Sequence, residues 1–549
     1  MVLVSLWGAA FAGETSHTVR LSSGGRYAVD LTTHSRVANR AVIIRNTGTA
    51  DIVNPWLMAN GRGDWFDAPR IAAEAAGGTS TPLEKAWKTW HFVRRNTTHW
   101  WPAEDGAEVQ DVTKLFNVYG YGFCDDVATA LEYMWKATGI EARSWVMSGH
   151  IISEFKLGDR FTMLDADRDV FYPLEDLETI AGVEDCTSRT ELVARVSPPN
   201  IVDMYGETNK VMFQQGYATT HTMAMRLRPG EALERCFTNR GKFHALMSRE
   251  EPPTYGNGRL TYTEDFSTTA FRRNFSRITN VASRTEDQAV TSGPAVFAQD
   301  PKQPAFITYA AESAYPFLDG TVTIDAHLTT AEQQIQVLAR APRRQKLLGT
   351  IKGPFSGQRT FSLKAFIAAD RLPAMYNFTV QVGFGVNHSP AAAGLNGFAL
   401  DADIQCAPAS LPALLGGRVN DLELEMTGKP GAQAEITHVW RENTEPHLAP
   451  PSRPIIPANG DTITSSAPVL TWEWDLPDGQ TAWRRVSVFR DPKGIISALA
   501  PRLAVGEGPN RFDMPEGWLK PGETYYWRVS TGTTADQRGP LWSFRVGPE

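Results

Sequence analysis

Cys124 lies in the run Tyr119-Gly120-Tyr121-Gly122-Phe123-Cys124-Asp125-Asp126-Val127-Ala128. A thiol is a useful nucleophile only as its thiolate, and a helix N-terminus favours that anion through its dipole and free N–H groups. Ala128, Leu131, Met134 and Trp135, closed by Gly139, predict a helix that opens at Cys124. The glycines before it let the backbone bend tightly and come close to a substrate. Asp125 and Asp126 oppose thiolate formation but suit a first helical turn. Taken alone, Cys124 also fits a small buried hydrophobe beside a helix cap; the residues after it favour chemistry.

A nucleophilic cysteine needs a base, and the base needs an orienting group. Residues 143–157 alternate as one strand carrying His150, Gly158-Asp159 reads as a turn, and residues 160–167 read as a second strand. A two-residue loop sets Leu157 opposite Arg160 and Ile152 opposite Asp165. His150 then faces Asp167, with Asp165 its diagonal neighbour. The Cβ separations expected are about 5 Å and about 7–8 Å, both within reach of a carboxylate.

Gly122-Phe123-Cys124, the helix after it, Gly149-His150 with Glu154 four residues on, and Leu164-Asp165 together resemble the core of transglutaminase-like proteins. That superfamily includes transglutaminases, peptide:N-glycanases and bacterial cysteine proteases. The resemblance covers residues 80–180. It implies an α+β, papain-like core with Cys124 as nucleophile, His150 as general base and acid, and Asp165 as the residue that orients His150; Asp167 stands second to Asp165. Ile151-Ile152-Ser153 follow His150 where the family carries an aromatic residue, which changes the pocket wall and weakens any analogy of substrate.

An acyl transfer also needs an oxyanion donor. The Cys124 amide is the natural first one, and Asn117, Tyr119 or Tyr121 are candidates for the second. Trp100 and Trp101, with Glu154 and Asp167, are candidates for the cleft; for the two tryptophans core packing is the competing reading. The set supports attack on an amide, an acyl-thioester, and release to water, with a peptide, glycopeptide or glycoconjugate polymer as substrate. Two other functions fit the same residues. One is a polysaccharide lyase or hydrolase using His150 with Tyr119 or Tyr121 as base and acid. The other is a glycan-binding scaffold without turnover.

The elements that must hold these residues follow from pattern. Thr81-Pro82-Leu83-Glu84 is a capping box with proline at the first helical position, and Leu83, Ala86, Trp87, Trp90 and Val93 share one helical face. Helices followed by antiparallel strands read as α+β. With 549 residues the chain exceeds one core, so about four domains are expected. The expected division is a signal peptide over 1–12, ending in Ala10-Phe11-Ala12; a β subdomain over 13–68; the core over 69–204; a β-rich unit over 205–300; a β-sandwich over 301–446; a Pro-rich linker over 447–464; and a last unit over 465–549. Val469-Leu470-Thr471-Trp472-Glu473-Trp474 and Thr524-Tyr525-Tyr526-Trp527-Arg528-Val529 make that last unit resemble the fibronectin type III-like modules of secreted bacterial enzymes. The β-rich segments around 309–317 and 407–414 resemble sandwiches attached to polysaccharide-degrading enzymes.

The signal-like start makes secretion or a periplasmic location the expectation. A net charge of −7 without basic blocks excludes a nucleic-acid footprint, and no run of the mature chain approaches the ~20 apolar residues of a membrane span. The four cysteines, Cys124, Cys186, Cys236 and Cys406, have no zinc spacing, and no dinucleotide or phosphate loop is present. No metal and no cofactor is expected.

Overall fold

The computed structural model describes residues 13–102, 106–206, 211–213, 216–245, 250–287, 291–371, 373–384, 392–442, 449–474, 481–532 and 537–548. The expected signal peptide and the first two residues of the expected linker lie outside them. The chain is mostly β and multidomain, with several antiparallel sheets and a smaller helical part. Among the described residues no helix is long and apolar enough to cross a membrane.

The first strands do not stand alone. Val37–Asn46 lies between Ala232–Cys236 and Ala434–Glu442, and Thr15–Leu21 pairs with the far edge of the latter. The same sheet continues through Gly256–Glu264 and Ala393–Cys406 to the 24-residue strand Ala305–Leu328. A second sheet joins Gly25–Asp30, Val419–Gly428, Ile52–Ala59 and Arg226–Leu227. The units expected over 13–68, 205–300 and 301–446 therefore share sheets rather than forming three bodies. The reason is burial: Val42, Ile44 and Ile52 are fully buried in one cluster with Leu233, Leu260 and Ile436. Four short strands have too little apolar surface to enclose such a core themselves.

The helical part holds the candidate residues Cys124, His150 and Asp165. Pro82–Asn96 begins as its sequence requires: the Thr81 hydroxyl accepts from the Glu84 amide at 3.1 Å, and the Glu84 carboxylate accepts from the Thr81 amide at 3.2 Å. Its buried face, Ala86, Trp87, Trp90 and Val93, packs with Leu131, Met134 and Trp135 of the helix Cys124–Ala137. A small antiparallel sheet runs in the order Val211–Met212, Ala142–Met147, His150–Leu157, Arg160–Met163. What reads in sequence as one strand over 143–157 is thus a hairpin. Ser148-Gly149 turns the chain, with Gly149 at φ +72°, a conformation that costs glycine little.

The C-terminal unit is a pair of small sheets closed over Trp472, Trp527 and Trp542. Arg453–Ile456 and Asp461–Ile463, expected in the linker, are strands of these sheets. The unit is seated on the helical part: Lys493 donates to Glu84 at 2.6 Å, and the Arg502 amide donates to the Asp169 carbonyl at 3.2 Å.

Candidate active site

Cys124 is the first residue of its helix and is partly exposed. The first bond within that helix runs from the Val127 amide to the Phe123 carbonyl, so the amides of Cys124, Asp125 and Asp126 have no acceptor inside it. The Phe123 amide donates to the Asp126 carboxylate at 2.8 Å. That carboxylate lies against Gly122, where any Cβ would come within 2.8 Å of it; glycine is needed there for the close approach. Burial, then the charge of Asp125, push the Asp126 carboxyl up to about 8. Asp126 is thereby largely neutral at pH 7, which removes one of the two negative charges that the sequence sets beside the sulfur. Asp125 accepts a hydrogen bond from the buried Gln110 amide at 2.9 Å.

His150 opens its strand and is 2 % exposed. That strand is fixed to the Cys124 helix where the Ser153 hydroxyl donates to the Ala128 carbonyl at 2.7 Å. The ring donates from Nε2 to Asp165 Oδ2 at 2.7 Å, and Asp165 Oδ1 accepts from the Arg168 amide at 2.9 Å. The Cys124 side chain also acts on His150, favouring the charged form of the ring. With Nε2 committed to Asp165, Nδ1 is the ring nitrogen left to exchange a proton with the sulfur. Burial opposes a charge on His150, but the Asp165 charge and hydrogen bond and the Cys124 side chain outweigh it and raise the ring to about 10. Asp165 is held below its usual range: burial works against the carboxylate, and His150 and the Arg168 amide more than offset it.

Asp167, by contrast, does not face His150. The pairing runs Leu157↔Arg160 to Glu154↔Met163, as a two-residue loop dictates, and then stops. The Met163 amide turns to the Ala181 carbonyl, and Asp165 and Val170 exchange backbone bonds of 3.0 and 3.2 Å across a tight loop. That loop brings Asp165 to His150 and sends Asp167 to His99, whose Nδ1 is 2.7 Å from it. His99, which no sequence pattern singles out, has its pKa raised by the hydrogen bond to Asp167. Its ring lies 5.3 Å from that of Phe123, which Trp101 meets edge-on at 4.9 Å. Trp101 is 44 % exposed and borders the Cys124 end of the helix.

The other candidates are engaged elsewhere. The Asn117 amide donates to the Trp65 and Thr113 carbonyls at 2.6 and 3.0 Å. The Tyr119 hydroxyl bonds Glu108 and His244, and that of Tyr121 accepts from Gln405. All three are buried, and both tyrosine rings sit in the core of the large β unit. Trp100 is half-buried against that same unit and donates to the Glu250 carbonyl. Glu154 lies in no cleft: it is fully buried, accepting from Arg143 Nε at 2.6 Å, Trp145 Nε1 at 2.7 Å and the Val183 amide at 2.9 Å. Glu154→Ala strands these buried donors and is expected to cost about 3 kcal/mol, read by urea unfolding. A loss under about 1 kcal/mol, with a changed KM, returns Glu154 to a substrate role.

A cavity of about 300 Å³ beside the loop that carries Asp165 is lined by His99, Asp167, Arg168, Asp169, Arg502 and Val505. A larger one of about 550 Å³ opens where Thr98 and Gly120 meet Thr254 and Tyr255. Neither is lined by Cys124 or His150. The four cysteines form no disulfide. Cys186, Cys236 and Cys406 are buried, and burial pushes the Cys406 thiol up to about 12.

No family model and no curated protein matches the chain. Among solved structures, the adhesin domain of Epf from Streptococcus pyogenes is 11 % identical over 58 % of this chain and 92 % of its own, at a TM-score of 0.14. A β-1,2-glucanase from Parabacteroides distasonis is 12 % identical over 54 % of this chain and 33 % of its own, at 0.13. The FN1–FN3 domains of chicken CNTN1 are 11 % identical over 60 % of this chain and 85 % of their own, at 0.11. At these scores the likenesses carry no argument about activity.

Proposed function

We propose that the chain is a cysteine-dependent acyl-transfer enzyme with a transglutaminase-like core, acting as an exported amidohydrolase on an amide of a peptide, glycopeptide or glycoconjugate polymer. The observation that supports it is Cys124 at a helix start, acting electrostatically on buried His150, which is hydrogen-bonded to buried Asp165. The Cys124 sulfur attacks the amide carbon while its proton resides on His150 Nδ1. The carbonyl oxygen gains the negative charge facing the free first-turn amides. Collapse breaks the C–N bond, and the nitrogen leaves with the proton from His150. Water then attacks the thioester, giving its proton to His150 and freeing the acid and the thiol. Asp165 holds the ring with Nδ1 toward the sulfur throughout.

The test is acyl-enzyme trapping. The protein is mixed with amide-bearing glycopeptides and peptidoglycan fragments, quenched in acid and mapped by mass spectrometry. An adduct on Cys124 that hydroxylamine releases is the expected result. Ultraviolet-absorbing products that persist in Cys124→Ser are the result of a polysaccharide lyase and overturn the proposal. Trp101, exposed against Phe123, is placed to contact substrate rather than the reacting atoms. Trp101→Ala is therefore expected to raise KM about tenfold with kcat little changed, in steady-state kinetics.

A further inference from the structure

Beneath the C-terminal unit lies a partly enclosed cavity of about 270 Å³ whose wall is basic. Lys88, Arg94 and Arg95 come from the helix Pro82–Asn96, and Arg485, Arg528 and Arg538 come from the C-terminal unit. Among the described residues no Asp or Glu lines it. At its margin Asp169 binds Arg94 Nε at 2.5 Å, Glu84 binds Lys493 at 2.6 Å, and the charge of Asp491 acts on Arg528. Among the described residues no carboxylate forms an ion pair with Arg95, Arg485 or Arg528.

Arginines brought together in this way repel one another unless something neutralises them. Burial and the neighbouring Arg94 charge depress Arg485 to about 10, against the pull of Asp169. Arg528 is lowered by burial and then by Arg538, against the pull of Asp491. Hydrogen-bonding capacity is also left over. The Arg94 side chain is 3 % exposed, yet its Nη2 is buried without a partner, as is Arg485 Nε. Buried guanidinium donors without acceptors are costly, and the acceptor that suits several converging guanidinium forks is a compact oxyanion. His91, in the same wall, is kept well below its usual pKa by burial and then by Arg95 and Arg94. Its Nε2 donates to the Ile495 carbonyl at 3.0 Å and its Nδ1 lies 3.5 Å from Arg94 Nη1, so the ring engages one nitrogen of that guanidinium and leaves Nη2 without an acceptor.

We propose that this cavity is a binding site for a phosphate- or sulfate-type oxyanion, held by Arg94 and Arg485 and enclosed by Arg95, Arg528 and Arg538. A bound dianion cross-links the helix Pro82–Asn96 to the C-terminal unit and so stabilises their junction. The site is independent of the acyl-transfer reading, and its test does not use turnover.

The experiment is thermal unfolding of the full chain in inorganic phosphate or sulfate, against sodium chloride at matched ionic strength. The expected result is a saturable rise in Tm with phosphate and sulfate, absent with chloride, and lost in the double variant Arg485→Gln/Arg528→Gln. That variant removes two of the repelling charges, so its Tm without anion is expected to equal or exceed that of the wild type. A second arm replaces the free anion by a sulfated oligosaccharide in isothermal titration. Binding at least tenfold tighter than sulfate assigns the site to an anionic group carried on a polymer, and equal or weaker binding assigns it to the free ion. A response to phosphate and sulfate no larger than to chloride, or one that the double variant keeps, overturns the proposal. If the double variant fails to fold, isothermal titration of the wild type and Arg95→Gln with sulfate decides. Saturable binding weakened at least fivefold by the substitution upholds the site, and no saturable binding to the wild type overturns it.

Discussion

Cys124→Ser is expected to lower kcat/KM for the proposed amide cleavage by about a thousandfold or more, with no other thiol compensating. The size follows from how triads behave, in which the nucleophile and its base act as a unit and loss of either removes nearly all of the chemical step. The structure supplies no substitute. Cys186, Cys236 and Cys406 are buried, and Cys236 and Cys406 belong to the large β sheet, far along the chain from His150. The serine hydroxyl fits the site, so the folded protein and its melting temperature are expected to be unchanged. Steady-state kinetics with unfolding by circular dichroism checks both parts. Residual activity above a tenth of the wild type means that the sulfur does not carry the reaction.

Asp165→Asn is expected to lower both activity and stability. Asn still accepts a hydrogen bond but carries no charge, and it can turn its amide to His150, which favours the wrong tautomer. A fall of about a thousandfold in kcat is expected. The pair is buried on both sides, at 1 % and 2 % side-chain exposure, so removing one charge leaves the other uncompensated, a loss of about 3 kcal/mol at neutral pH.

The pH dependence of that loss has a definite sign. His150 is raised to about 10, so its contribution is fully present below the unfolded value near 6.5 and is lost as pH rises through 10. Asp165 is lowered, so its contribution is present above the unfolded value near 3.9 and is lost as pH falls through its folded value. Urea unfolding of wild type and variant should therefore show the widest stability gap between about pH 4 and 6.5, narrowing toward pH 10. A gap that is constant with pH contradicts a charged pair.

Much of the site is local and could be read. Thr81 to Glu84 is a capping box because Ser/Thr and Glu three residues apart satisfy each other's amides, and a helix does start there. The helix that opens at Cys124 follows from the same kind of short-range pattern. The hairpin at Ser148-Gly149 escaped because a two-residue turn preserves the alternation of a period-two run, so two strands read as one. The choice between Asp165 and Asp167 turned on where the strand Arg160–Met163 ends. That end is set by the bond from Met163 to Ala181 and by the loop closed at Val170, neither of which has a local signature. The long-range sheets were less legible still: Thr15 pairs with Trp440 across most of the chain, and only the buried core shows why. The tyrosines of the 119–121 run look like site residues because they adjoin Cys124 in sequence. A π-helical turn over Leu115–Tyr119 carries them into the β unit instead.

The measurement that bears most directly on the central claim is limited alkylation with iodoacetamide across pH 5–9, mapped by mass spectrometry, in wild type and His150→Ala. An imidazolium and a helix start beside a sulfur both favour its attack on an alkylating agent. Cys124 is expected to be modified selectively at pH 6, ahead of Cys186, Cys236 and Cys406, and His150→Ala to slow this at least tenfold while leaving the other three unchanged. Cys124 that is inert at pH 6, or indifferent to the loss of His150, contradicts that claim.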